Sequence, residues 1–557
     1  MDRQRRYFQI IITFLLLIGL IGPYTHQASK PADLHPWLAE ASSTTPDQMM
    51  SVIVQKAETS SRAENLTRLM GGTVAVELPI INAFVASLPA RSLAALAQHP
   101  SVLRVSPDQM VQVAGEGVVP PTDYPKVVRA NEVWARGIYG KGVTVAVLDT
   151  GMGDYHDEDL EKNRSGAGRL MAEIQSSEQN GAHDPSGHGT HVTGILANSG
   201  RASDGSYGGI APDVNLISVR VLGDDGSGSY ASVIEGIQWV VNNRNAYKIK
   251  VMNLSLYAHP MSHYWEDPLN QAVMKAWKAG IVVVVSAGNS GPGPMTVTVP
   301  GNIPYVITVG AFTDNYTPKD RSDDALASFS AAGPTHDGFV KPDVIAPGGH
   351  MVSTMYQDAQ FARQHPEYQV SPYYFQMSGT SMASAVVSGV AALILEKNPL
   401  LTNDQVKHRI LASARPACGS DANGNGKCDP QELSYSVWQQ GAGRVDAYEA
   451  VFGIYSGSAN QGLDLTADLA GKQHYQGKTG FQPETGEYYI TDQSGFAWNG
   501  GFASNGGFAW NGGFAWNGGF AWNGGFAWNG GFAWNGSFDE TTKTASKANM
   551  GAWIPQE

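Results

Sequence analysis

The sequence predicts an α/β fold, a parallel sheet covered by helices on both faces, for roughly residues 123–453 of the 557-residue chain. Three observations carry that prediction. Apolar runs rich in β-branched residues, "VTVAVLD", "NLISVRVL", "KVMNLSL" and "IVVVVSA", recur through this region. Longer segments with helical spacing, such as "YASVIEGIQWVVNN" and "NQAVMKAWKAG", lie between them. The runs are apolar throughout rather than alternating, as strands buried on both faces must be. In such sheets the working residues gather at the C-terminal ends of strands. Asp149, Ser255 and Asn289 all stand where a strand-like run gives way to a loop.

The remaining segments follow in chain order. Arg3, Arg5 and Arg6 precede the apolar run Phe8 to Ile21. A basic start followed by a short apolar stretch is the pattern of a secretory signal. A spanning anchor is the alternative, but the run is shorter than the ~20 residues a helix needs to cross a bilayer. The signal is assigned to residues 1–28, with Ala28 as its last residue, and 29–49 to a polar linker. No later stretch reads as long and apolar enough to span. Residues 50–113 form a small unit of their own. "SVIVQKAE" reads as a strand, "SRAENLTRLMGG" as a helix ended by Gly71 and Gly72, and "TVAVELPIINAFVASLP" as further strands. "ARSLAALAQHP" is a second helix and "SVLRVSPDQMVQV" a last strand, so the order is that of a split βαβ, α+β unit.

Beyond Gly453, residues 454–494 read as a linker. The block 495–536 repeats GFAWNG seven times, with Ser504 replacing Trp in the second copy. Residues 537–557 are a polar tail. The repeats are a low-complexity Gly/aromatic segment. If extended, their even period would put Phe and Trp on one face, fit for polysaccharide, cell-surface or self contact. A tail without fixed structure is the plainer reading, since Gly supplies a third of each hexad. The formal charge of -13, with no Lys/Arg stripe, excludes a nucleic-acid binder.

Three segments of the middle region carry chemistry: "VAVLDTGMG" around Asp149, "SGHGTHVTGI" around His188 and "MSGTSMASAVVSG" around Ser381. Peptide hydrolysis needs a nucleophile, a base to take its proton and a carboxylate to orient the base. Asp149 ends a strand, while His188 and Ser381 each open a helix-like run after a Gly-rich loop. A helix N-terminus also favours developing negative charge. Each fragment alone has a plainer reading: a cap, a turn, or, for HGTH, a metal pair that lacks the glutamate of a zinc-peptidase helix. Together they are far more specific.

Residues 123–453 resemble the subtilisin-like serine peptidases, whose three catalytic motifs match "VAVLDTG", "GHGTHVTG" and "GTSMAS" in order. The resemblance implies that Asp149 orients, His188 is general base and then acid, and Ser381 attacks. Asn289 of "VVSAGN" matches the oxyanion-hole asparagine. Gly226, Ser227 and Gly228, with Ser255 and Leu256, match edge segments that hold an extended peptide, and "FVKPDVIAPGG" is a structural stretch of the family. Two departures stand out: Ala385 replaces a common proline, and Tyr257 replaces a glycine in the substrate strand. Tyr257 puts substrate preference in doubt. Residues 50–113 resemble the family's inhibitor prosegment, with self-cleavage expected between Val111 and Tyr124. The expected protein is therefore a secreted, monomeric zymogen acting on proteins or peptides, with no cofactor for its chemistry.

"DANGNGKCDPQE" reads as a calcium loop. Asp421, Asn423, Asn425, Lys427 through its carbonyl, Asp429 and Glu432 take ligand positions, and Gly426 the sharp turn. A polar Asx/Gly turn is the alternative. Cys418 and Cys428, the only cysteines, predict a local disulfide in an exported chain, so the insertion spans 418–432. Asp159 in "HDEDL" also resembles a family calcium ligand. Two rival functions share parts of this pattern. An aspartic peptidase needs a second DTG or DSG, which the sequence lacks. A noncatalytic adhesion protein would use the aromatic repeats and leave the triad without purpose.

Overall fold

The computed structural model describes residues 33–108, 110–113, 124–153, 158–203, 205–418, 433–482 and 487–490, with the short segments 514–516 and 520–522. The signal segment 1–28, the ligand positions 421–432 and the tail 537–557 lie outside the described residues. The chain divides into two compact units, 1–75 with 86–107, and 76–85 with 108–557.

Between residues 49 and 107 the elements come in the predicted order. They are strand Met49–Lys56, helix Arg62–Leu69, strands Thr73–Leu78 and Ala83–Pro89, helix Leu93–Ala97 and strand Val102–Pro107. Met49–Lys56 pairs antiparallel with Val102–Pro107 and buries Val52, Ile53 and Val54. The preceding stretch is not a bare linker. It holds helix Pro36–Thr44, with proline at its start and His35 Nδ1 accepting from the Trp37 N–H at 3.3 Å. Leu38 and Ala41 are its buried residues, too few to show a helical period in the sequence.

The second unit is built on an eight-stranded sheet. Its order runs Ala325–Leu326, Ile307–Thr313, Val282–Ser286, Ile249–Leu254, Thr144–Asp149, Asn215–Arg220, Leu170–Gln175, with Val344–Pro347 also paired to Ile307–Thr313. All pairs are parallel except the edge strand Ala325–Leu326, which is antiparallel, so the sheet is mixed rather than purely parallel. Every residue of Thr144–Asp149 and Val282–Ser286 is buried, as their unbroken apolar runs require.

Helix Thr380–Lys397 packs on Ile249–Leu254, Val282–Ser286 and Ile307–Thr313. With a mean hydropathy of 1.3 over 18 residues, it is long and apolar enough to cross a membrane, contrary to the sequence reading. Its apolar residues are consumed inside the protein instead, since all from Thr380 to Leu395 are buried.

The segment after Gly453 also departs from the linker reading. It carries helix Leu465–Leu469, capped by Asp464, and the hairpin Thr479–Gln482 with Glu487–Ile490. Its contacts are polar and aromatic rather than aliphatic, which hid them from a search for apolar periodicity. Asp468 Oδ2 accepts from the buried Tyr264 and Tyr305 hydroxyls at 2.6 and 2.7 Å. Trp265 is sandwiched between the rings of His263 and His474, 4.3 and 4.8 Å away. Among the repeats, Phe514–Trp516 pairs antiparallel with Phe520–Trp522.

Candidate active site

Asp149 is the last residue of its strand and His188 the first of helix His188–Ala197. Both are buried, and His188 Nδ1 lies 2.7 Å from Asp149 Oδ1, which also accepts from the Thr150 N–H at 2.8 Å. Such an approach of strand end to helix start needs glycine. A Cβ on Gly189 would stand 2.3 Å from the Gly151 carbonyl oxygen, and Gly187, the helix cap, has a φ of 94°. His188 Nε2 is buried and has no hydrogen-bond partner among the described residues. The imidazole is thus oriented through one nitrogen and keeps the other for a reacting group.

Sequence reasoning missed what holds this pair. Asp184, four residues before His188, accepts four hydrogen bonds at 2.7–2.9 Å, from the Thr150 and Thr190 hydroxyls and the Gly187 and Thr190 N–H groups. The Thr150 hydroxyl in turn accepts from the Gly189 N–H at 2.8 Å. An aspartate so close to "SGHGTH" was the available signal. The ring of Phe361 lies 6.4 Å from that of His188, carried by a segment whose Gln360 N–H donates to the Pro185 carbonyl at 2.8 Å.

Ser381 is the second residue of helix Thr380–Lys397, which packs against helix His188–Ala197. Its hydroxyl donates to the Ser255 carbonyl at 3.2 Å, and the Ser255 hydroxyl donates to the Ser381 carbonyl at 3.0 Å. The Ser255 hydroxyl also meets Ser384 Oγ at 2.9 Å and accepts from Asn253 Nδ2 at 2.9 Å. Ser255 was expected only as part of a peptide-binding edge. Its side chain anchors the first turn of the Ser381 helix as well.

Asn289 follows strand Val282–Ser286. Its Oδ1 accepts from the Thr380 N–H and hydroxyl at 3.0 and 2.8 Å. The amide orientation is therefore set, and Nδ2, buried, has no hydrogen-bond partner among the described residues. The two hydrogens of Nδ2 are left beside the helix start that carries Ser381.

The edge segments form a small sheet of their own. Strand Met110–Val113 lies between Ser227–Ser229 and Leu256–Tyr257, antiparallel to both. Ser227 and Gly228 stand opposite Gln112 and Val111, while Leu256 and Tyr257 stand opposite Val113 and Gln112. Gly226, with a φ of 73°, turns the chain into the first edge.

The other histidine of HGTH is buried too. Burial pushes the His191 imidazole down to about 3, so it is neutral, and its Nε2–H donates to the Phe375 carbonyl at 3.0 Å. Asp159 is buried, with Oδ1 accepting from the Ala202 N–H at 2.8 Å and Oδ2 from the Tyr374 hydroxyl at 2.6 Å. Both carboxylate oxygens are thus engaged by donors within the protein. Among the described residues no three His, Cys, Asp or Glu side chains group as a metal site. Asp421, Asn423, Asn425, Lys427, Asp429 and Glu432 lie outside the described residues, as does Cys428. Cys418 is disulfide-bonded, and Cys428 is the only other cysteine in the chain.

The subtilase family profile matches residues 140–443. The serine protease AprX of Bacillus subtilis is 45% identical over 285 residues, covering 50% of this chain and 63% of that protein, so the chain spans less than two thirds of AprX. Subtilisin E of the same organism is 34% identical over 362 residues, covering 64% of this chain and 82% of subtilisin E. In fold the chain is similar to fervidolysin of Fervidobacterium pennivorans, a keratinolytic enzyme related to subtilisin. The TM-score is 0.57 at 22% identity, over 78% of this chain and 64% of that one. With its family profile spanning more than half of its length, the chain belongs to the subtilase family of serine peptidases.

Proposed function

We propose that the chain is a secreted serine endopeptidase made as a self-inhibited zymogen. One observation carries the reading. A buried His188, oriented by Asp149, keeps Nε2 unengaged while Asn289 holds its amide open beside the Ser381 helix. Ser381 Oγ attacks the scissile carbonyl carbon and His188 Nε2 takes its proton. Asn289 Nδ2 and the Ser381 N–H donate to the carbonyl oxygen as it becomes negative. His188 then protonates the leaving amine, and water, deprotonated by the same nitrogen, releases the acyl group from Ser381. In the resting protein Ser381 Oγ donates to Ser255 instead. Catalytic hydrogen bonds commonly tighten only in the reacting complex.

Gly226, Ser227, Gly228, Ser255 and Leu256 seat an extended peptide by backbone pairing, and Met110–Val113 supports this by being paired there itself. Residues 50–113 are then the inhibitor, whose end fills the seat until it is cut. Calcium at residues 421–432 is structural in this reading. The donors are oxygens, which suit a hard cation, and no chemical step needs the ion. Export rests on residues outside those described, and contact of the repeats with a cell surface on a block of which only 514–516 and 520–522 are described.

The test is casein hydrolysis by the purified chain and by Ser381→Ala, with calcium and with chelator, alongside labelling by a fluorophosphonate. Activity and label in the wild type alone are expected, with a shorter active lifetime in chelator. If wild type and S381A are equally inert once residues 1–123 are removed, the peptidase reading fails.

A further inference from the structure

Strands Met351–Thr354 and Tyr374–Met377 pair antiparallel, with Thr354 opposite Tyr374. About two to five residues commonly suffice to join such a pair. Here the connection runs from residue 355 to 373 and carries helix Gln360–Gln364. We propose that this connection builds the leaving-group half of the substrate site. Its cavity takes a bulky apolar side chain from one of the first three residues beyond the cut bond. The inference rests on the peptidase reading above and adds a substrate preference to it.

The connection is docked on the residues that precede His188. The Gln360 and Phe361 N–H groups donate to the Pro185 and Ser186 carbonyls at 2.8 and 3.2 Å. A Cβ on Gly187 would stand 2.8 Å from that of Ala359. Phe361 thereby sets its ring 6.4 Å from the His188 imidazole. The acyl half of an extended peptide has its seat elsewhere, at Ser227–Ser229 and Leu256–Tyr257. The departing nitrogen takes its proton from His188, so a group set against that ring stands beside the leaving residues. Gly187 is one residue, about 3.8 Å, from His188, and an extended substrate advances about 3.4 Å per residue. A cavity at Gly187 is therefore met within the first three residues past the cut.

Such a cavity, of about 240 Å³, is lined by Gly187, Ala359, Tyr356, Tyr373 and Tyr374. An apolar cavity of ~150 Å³ already holds benzene, so a Phe, Tyr or Leu side chain has room. The wall is chiefly apolar, and Asp184 is the only charged residue of the described lining. Its oxygens are spent on four hydrogen bonds from Thr150, Gly187 and Thr190. A charged side chain entering there would shed its water without gaining a hydrogen-bonded partner. Tyr373 is 55% exposed, so the cavity reaches the surface, where a substrate can enter.

The experiment compares quenched-fluorescent peptides that share one acyl half and carry Phe, Leu, Ala, Lys or Glu at each of the first three leaving positions. A p-nitroanilide of the same acyl half, which has no leaving residue, is the reference for each preparation. With the purified chain, Phe or Leu is expected to exceed Ala at least ~10-fold in kcat/KM at one of the three positions, as burial of such a side chain gives. Tyr373→Ala and Tyr356→Ala, each at a residue partly open to water, should each lower that ratio at least ~3-fold by removing wall from around the bound side chain. A flat response at all three positions overturns the inference. So does a preference for Lys or Glu, or a ratio that neither variant changes. In each of these cases hydrolysis of the anilide leaves the peptidase reading standing. A chain that hydrolyses neither peptides nor anilide, even after removal of residues 1–123, brings down both.

Discussion

Thr380 fixes the side chain of Asn289 through two hydrogen bonds to one oxygen, its N–H at 3.0 Å and its hydroxyl at 2.8 Å. The pairing decides which end of a near-symmetric amide is held and which is left to donate, because only the Nδ2 end carries hydrogens.

Asn289→Ala is therefore expected to lower kcat by ~10²–10³, the range known for subtilisin's own oxyanion donor, with KM nearly unchanged. Thr380→Val keeps the shape and one of the two hydrogen bonds, so its loss should be about tenfold and also in kcat. Steady-state kinetics on a chromogenic peptide decide it. A T380V variant that raises KM alone would assign Thr380 to ground-state binding instead.

Asp149→Asn is expected to lower kcat about 10⁴-fold without unfolding the protein. The amide preserves shape, and Oδ1 would still meet the Thr150 N–H. It no longer supplies the charge that stabilises an imidazolium at His188. Circular dichroism and kinetics on one preparation separate this outcome from misfolding.

Truncation after Ile490 should leave thermal stability nearly intact, whereas truncation after Gly453 should cost at least ~5 °C. The shorter chain loses Asp468, acceptor of the buried Tyr264 and Tyr305 hydroxyls. It also loses Asn460, which donates to Asp404 at 2.6 Å. Stranding these three groups at ~1–3 kcal/mol each removes about 4 kcal/mol, and at ~2.1 cal/mol/K per residue over about 350 residues each kcal/mol is worth roughly 1.4 °C. Equal melting temperatures would return residues 454–490 to the role of a linker.

His263 provides a pH-dependent term at the same place. Its hydrogen bond to Asp337, 2.5 Å long, raises the imidazole pKa above its usual value, against burial and with help from the Asp337 and Glu266 charges. The neighbouring His336 has its own pKa lowered, chiefly by burial and further by the charge on His263, against the pull of Asp337. A raised folded-state pKa means the stabilisation is fully present below the unfolded value of ~6.5 and is lost as pH rises through the folded one. The half-exposed ring limits the effect to about 0.5 kcal/mol. His263→Ala should thus lower the melting temperature more at pH 5.5 than at pH 9. An equal loss at both would assign the residue to packing on Trp265 alone.

Much of this molecule was legible along the chain because its information is local. An unbroken apolar run such as Val282–Ser286 can only be a strand buried on both faces, and a glycine beside His188 or Ser381 marks close backbone approach. The motif residues could be named for the same reason. Their partners could not. Ser255 lies 126 residues from Ser381 and Thr380 91 residues from Asn289, and a single serine or threonine carries no mark of the group it will meet. The helix Pro36–Thr44 and the segment 454–490 escaped because they are held by capping, stacking and tyrosine–carboxylate bonds, none of which leaves a hydrophobic period.

The sequence by itself determined the element order between residues 49 and 107, the apolar strands of the large sheet, the family resemblance and the residues proposed to react. Only the tertiary structure decided which amide nitrogen is left to donate, which hydroxyl steadies Ser381 and in what register Met110–Val113 pairs at the substrate edges. The reason is physical. Burial preference and backbone conformation are properties of a short segment, whereas a hydrogen bond between distant segments exists only once the fold has closed the loop between them.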